Sequence, residues 1–172
     1  MAGWEQALAD LVNARGAALK RYAYLLCGND SDAEDLVQDA LVRAFTRPRR
    51  DEVENSEQYV RKTVVNLYLD RIRRRDVWRR VMPFALALAP DRVEDGSRAA
   101  DARHDLRAAL LELTPQQRAC VVLYYHVDLP IPEIAAQLGC GAGTVKRHLY
   151  DGRRRLAGLL HDDIGEDDRA VR

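Results

Sequence analysis

Thr144, Lys146, Arg147 and His148 place a hydroxyl, an ammonium, a guanidinium and an imidazole within five residues. Those groups donate hydrogen bonds to base edges and to phosphate oxygens, and Arg153 and Arg154 follow within two helical turns. Residues 141–160 hold five cations, the fifth being Arg155, against the single acid Asp151. A second cationic block lies upstream: Arg61, Lys62, Arg71, Arg73, Arg74, Arg75, Arg79 and Arg80 face only Asp70 and Asp76. Over all 172 residues, 27 Lys and Arg balance 27 Asp and Glu, which excludes a uniformly basic coat. Two separated basic blocks, offset by acids such as Asp30, Asp32, Glu34, Asp35 and Asp39, point to two separate anion contacts.

Other chemistries find no foothold. Cys27, Cys120 and Cys140 form no CxxC pair, and His104, His126, His148 and His161 are scattered too widely to suggest a zinc site. Each Cys is expected to fill a small apolar slot beside Leu26, Val121 or Leu138. No Ser–His–Asp spacing and no glycine-rich phosphate loop is present, so no enzyme activity, metal or cofactor is expected. The opening MAGWEQALAD lacks the basic and apolar stretches of a signal peptide. The longest strongly apolar run, residues 82–90, is about half a bilayer span. A soluble, cytoplasmic chain without membrane insertion is the expectation.

The elements that must position the cationic blocks read as helices, with no period-2 run of β-branched residues. Trp4, Leu8, Leu11, Val12, Leu19, Tyr22, Leu25 and Leu26 recur at helical spacing until Gly28. Ser31 and Glu34 read as a capping box opening a second helix, with Leu36, Val37, Ala40, Leu41, Ala44 and Phe45 as its apolar face and Pro48 as its end. A charged loop follows. Asn55 and Gln58 form another box before a third helix, from about Ser56 to Arg75 or beyond, that buries Tyr59, Val60, Val64, Leu67 and Ile72. Between residues 76 and 101 periodicity dissolves into a Pro- and Gly-punctuated, partly acidic stretch that reads as a flexible linker. It resumes with Leu106, Ala109, Leu110 and Leu113, and Thr114, Pro115 and Gln117 mark a helix start.

Residues 132–149 carry the most specific pattern. Ile134 and Leu138 face a core, Ala135 is small where two helices cross, and Gly139 ends the first helix where positive φ is needed. Val145 and Leu149 then resume the apolar face. This is a helix-turn-helix whose second helix exposes Thr144, Lys146, Arg147 and His148 to the major groove of DNA.

Taken in order, these segments resemble the extracytoplasmic-function sigma factors of bacterial RNA polymerase, in the sigma-70 superfamily. DAEDLVQDALVRAF (residues 32–45) resembles the family's region 2.1–2.2, YVRKTVVNLYLDRIRRR (59–75) its region 2.3–2.4, and residues 113–156 its region 4. The resemblance implies an all-α chain of two small helical domains joined by a flexible linker. Its expected bounds are a region 2 bundle at 1–80, a linker at 81–103, a region 4 domain at 104–162 and a disordered tail at 163–172. It further implies that Asp35, Leu36, Gln38, Asp39 and Arg43 meet the core polymerase. Arg61, Lys62, Asn66, Asp70, Arg73 and Arg74 would meet the −10 element, with loop 46–57 capturing a flipped base. Thr144, Lys146, Arg147, His148, Arg153 and Arg154 would meet the −35 duplex.

The implied partners are the β′ and β subunits of bacterial core polymerase and promoter DNA, with an anti-sigma factor left open and a monomer expected when free. The second helix departs from the family's common TVKSRLHR pattern: Arg147, His148, Tyr150 and Asp151 stand where Ser, Arg, His and Arg are usual. Asp151 thereby sets an acid on the DNA-reading surface. The competing expectation is a stand-alone helix-turn-helix regulator, which would normally dimerise on paired half-sites.

Overall fold

The computed structural model describes residues 2–46, 56–81 and 101–167, all of them helical or in the short turns between helices. Pro48, Asn55 and most of loop 46–57, for which the sequence set expectations, fall outside these residues, as do linker residues 82–100 and the last five residues. The side chains of Trp4, Leu8 and Phe45 fall outside them too. The chain divides into two compact units, and among the described residues no strand occurs.

Unit 1 is a three-helix bundle of α1 (Ala2–Cys27), α2 (Asp30–Thr46) and α3 (Ser56–Val81), each packed on the other two. Leu19, Tyr22 and Leu26 from α1, Leu36 and Ala40 from α2, and Val60, Val64 and Val65 from α3 are buried against one another. Burying each such Leu or Val contributes about 1.5–3 kcal/mol. Val12, assigned to this face by spacing, is instead exposed.

Gly28 at φ 81° lets the chain reverse directly after α1. That tight reversal moves the start of α2. Asn29, not Ser31, is the cap: its Oδ1 accepts from the Asp32 amide at 2.8 Å, and its side-chain amide donates to the Asp32 carboxylate at 2.7 Å. Beyond Ile72, α3 leaves the bundle, and residues 73–81 are all exposed over about 13 Å of helix.

Unit 2 contains α4 (Asp101–Leu111), α5 (Pro115–Val121), a π-helical turn at Val122–His126, α6 (Ile131–Leu138) and α7 (Ala142–Asp167). Thr114 and Gln117 close the expected box: Thr114 Oγ1 accepts from the Gln117 amide and Gln117 Oε1 accepts from the Thr114 amide, with Pro115 in the first turn. Leu110, Leu113, Leu123, Ile134, Val145 and Leu149 form the core, and Leu138 is half-buried. Leu106 does not join it and is 44% exposed. The last helix runs through Asp167, past the residue 163 at which a tail was expected, since neither proline nor a positive-φ glycine interrupts it.

Candidate nucleic-acid interface

On α3, Lys62, Asn66, Asp70 and Arg73 follow one another at spacings of four, four and three, which puts them in one stripe. The buried Val60, Val64, Leu67 and Tyr68 lie around the opposite side. Lys62 and Arg73 are exposed, Asn66 and Asp70 half-buried, and Asp70 pairs with Arg73. Arg74 lies one residue further round the helix and is exposed. Arg61 does not belong to this stripe. Its guanidinium pairs with Glu57, which also binds Arg15 of α1 at 3.0 Å, and its carbonyl accepts from the Tyr22 hydroxyl at 3.3 Å. Burial pushes the pKa of that hydroxyl well above the usual tyrosine value, so it stays a donor.

On α2, Asp35, Gln38, Asp39 and Arg43 share an exposed face. Leu36 departs from the expectation: at 1% exposure it is a core residue, because its position points at α1 and α3. The residue at the centre of the exposed face is Val42, three from Asp39 and four from Gln38, with 59% exposure. Sequence reasoning assigned it to neither the apolar face nor the interface. Asp39 is anchored across the bundle by Arg71 at 2.7 Å, and Lys20 reaches Asp30 at 3.6 Å and Glu34 at 3.7 Å. These ties fix α2 against its neighbours and leave Asp35, Gln38 and Val42 outward.

In unit 2, α7 is placed by four devices. Arg118, only 7% exposed, donates from Nε to the Leu110 carbonyl at 2.7 Å and from Nη2 to those of Leu111 and Leu113 at 2.8 and 3.1 Å. It thus helps to satisfy the carbonyls at the end of α4, of which that of Leu110 also accepts from the Leu113 amide at 3.2 Å. The π-helical turn closes with the Val127 amide on the Val122 carbonyl, and Asp128 follows at φ 61°.

Gly139 at φ 66° ends α6, where the Cys140 amide returns to the Ala135 carbonyl at 3.0 Å, and Gly141 then opens α7 by accepting from Thr144 and Val145. Gly152 allows α7 to lie on α5: a Cβ there would come within 2.9 Å of Val121 Cγ2. Arg118, the π-turn and Gly152 were all missed. A lone Arg or Gly in a helical run carries no signal of what it will face.

Around α7, Arg147, Asp151 and Arg154 form the row opposite the buried Val145, Leu149 and Gly152. Thr144 and His148 lie on one flank, Lys146 and Arg153 on the other, so the six expected residues span a broad face. His148 is half-buried and the others are exposed. Tyr150, not anticipated as a contact, stands exposed beside Arg147. Arg153 Nε folds back onto the Leu149 carbonyl at 3.3 Å. Burial raises the Cys27 thiol pKa and pushes that of Cys120 up to about 12, with the neighbouring Cys140 adding to the latter, so both stay protonated near neutral pH.

Among the described residues no cluster of His, Cys, Asp and Glu side chains could hold a metal ion, and no helix is long and apolar enough to cross a membrane.

Residues 11–77 match the family model for sigma-70 region 2, and residues 103–156 that for sigma-70 region 4. The chain is 36% identical to the ECF RNA polymerase sigma factor SigE of Mycolicibacterium smegmatis over 93% of its own length, spanning 62% of that protein. It is 32% identical to the RNA polymerase sigma-E factor of Streptomyces coelicolor, over 92% of this chain and 86% of that one. In fold it is similar to the sigma factor RpoE of Bartonella quintana, solved with the anti-sigma factor NepR: the TM-score is 0.67 at 24% identity, over 89% of this chain and 96% of that one. With both region models matched in this order and relatives of this kind along most of its length, the chain belongs to the extracytoplasmic-function sigma factors of RNA polymerase.

Proposed function

We propose that this chain directs bacterial core RNA polymerase to particular promoters and opens their −10 element. The observation that carries the reading is the succession of a region 2 match and a region 4 match, each on a unit with an exposed cationic helix. In this reading the α2 face of Asp35, Gln38, Val42 and Arg43, with Asp39 held at its edge, docks on the polymerase β′ subunit. The α3 stripe of Lys62, Asn66, Asp70 and Arg73, with Arg74 beside it, engages the −10 element. Extruding a base costs a few kcal/mol, which the loop at residues 46–57 and the phosphate contacts of α3 offset. Thr144, Lys146, Arg147, His148, Arg153 and Arg154 read the −35 duplex, which fits a short turn through Gly139 between α6 and α7.

The role is one of binding and strand opening without covalent chemistry, and it belongs in the cytoplasm, where the polymerase works. An anti-sigma factor is a second proposed partner, of the class named with the Bartonella quintana protein. A stand-alone helix-turn-helix regulator would account for unit 2 and leave unit 1 without a task.

Run-off transcription tests the reading: core polymerase on a genomic promoter library, with and without the protein. New, discrete transcripts are expected only with it. Their absence with folded protein that binds core polymerase would overturn promoter direction.

A further inference from the structure

We infer that Asp151 is a positioning residue for base recognition, holding the Arg147 guanidinium so that its outer edge meets a base instead of spreading over phosphates. The inference rests on the −35 reading proposed for α7. Asp151 sits in the middle of the outermost row of that helix, between Arg147 and Arg154. An acid there repels phosphate, and the bare electrostatics of DNA binding would favour a cation.

Its geometry gives the charge a different use. Asp151 Oδ2 lies 3.8 Å from Arg147 Nε at the i, i+4 spacing of a helix pair. An ion pair on the Nε side, too long for a hydrogen bond, leaves the two terminal nitrogens of Arg147 to form the fork that matches O6 and N7 of guanine. Arg147 is 83% exposed in its side chain, so nothing else restrains its rotamers, and a freely rotating arginine loses that freedom on binding.

Other cations near Asp151 do not take this role away. Asp151 shares a groove with Arg154 and Arg155 of α7 and with Glu112, Thr114 and Gln117 of the α4–α5 turn. Arg155 is drawn across the groove to Glu112 at 3.2 Å. Arg147 is exposed and Asp151 partly so, and a pair of this kind adds little to helix stability.

The test is selection by reconstituted holoenzyme from a pool of duplex promoters randomised across the −35 element, sequenced before and after binding. With the natural protein, one position is expected to show a guanine preference of about tenfold. Arg147→Ala and Asp151→Asn should each flatten that same position, and the double variant should flatten it no further. At low salt Asp151→Asn should hold total binding to the pool level or raise it, since a repelling charge is gone. Circular dichroism of each variant keeps a folding defect apart from a recognition defect. If Asp151→Asn keeps the natural base profile, or flattens a position that Arg147→Ala leaves intact, the inference is overturned while promoter reading stands. No enrichment at all by the natural protein would overturn both.

Discussion

The last described helix of each unit is 26 residues long and carries arginines, and the two helices are built on different plans. In α3, packing and charge are largely separated along the axis: Val60, Val64, Leu67 and Tyr68 fill the bundle, and Arg73, Arg74, Arg75, Arg79 and Arg80 stand on the free end. In α7 they are interleaved: Val145, Leu149 and Gly152 are buried within the same turns that expose Arg147 and Arg153. An overhanging helix can vary its cations at little cost to its fold. A helix whose cations alternate with core residues presents them only as accurately as it is packed.

The sharpest way to break this contrast is to unpack unit 2 without touching its cationic face. Arg118→Ala leaves three α4 and turn carbonyls without their buried donor, and should lower stability by on the order of 3 kcal/mol. Urea unfolding should show that loss, and −35 binding should fall with it.

Gly152→Ala comes next. Its new methyl meets Val121, and overpacking of this kind costs about 1–3 kcal/mol. Because the added volume pushes α7 off α5, −35 affinity should drop under conditions in which circular dichroism still reports a folded chain. Preserved affinity in gel-shift titration would mean that packing and reading are independent in α7.

On unit 1, Val42→Glu should weaken core polymerase about tenfold in a competition assay, with unfolding unchanged. The smallest effect belongs to the overhang. Arg79→Ala should change stability by less than about 0.5 kcal/mol and reduce the salt dependence of promoter binding by about one phosphate contact. A change in unfolding midpoint would show that the free end of α3 is packed after all.

Much of this organisation could be read from residue order, and the failures share a cause. Periodicity located the helices, Thr114 with Gln117 marked the start of α5, and Gly139 marked the end of α6, because each depends on neighbours within four residues. Asn29 displaced Ser31 as the α2 cap because Gly28 turns the chain sooner than composition suggests. Asp39 and Arg71 pair across 32 residues, and Arg118 reaches back eight, seven and five residues. No local pattern announces such contacts. Val12 and Leu106 were read as interior from their spacing, and only the packing of neighbouring helices leaves them facing out. The candidate site followed the same rule: residue types identified the two cationic helices, and three-dimensional packing removed Arg61 and Leu36 from the faces to which they had been assigned.

The π-helical turn at Val122–His126 works as a phase setting. Its five-residue hydrogen-bond spacing accommodates one residue more than an α-helical turn would. Each residue of helix corresponds to about 100° of rotation. The direction in which the chain leaves for α6, and with it the face that α7 offers, is therefore encoded by residue count as well as by residue type. Deleting one residue from this turn would restore ordinary winding and leave every side chain of the helix-turn-helix intact, yet turn its point of departure by roughly a quarter of a circle. Length, at this point in the chain, helps to set which face α7 presents.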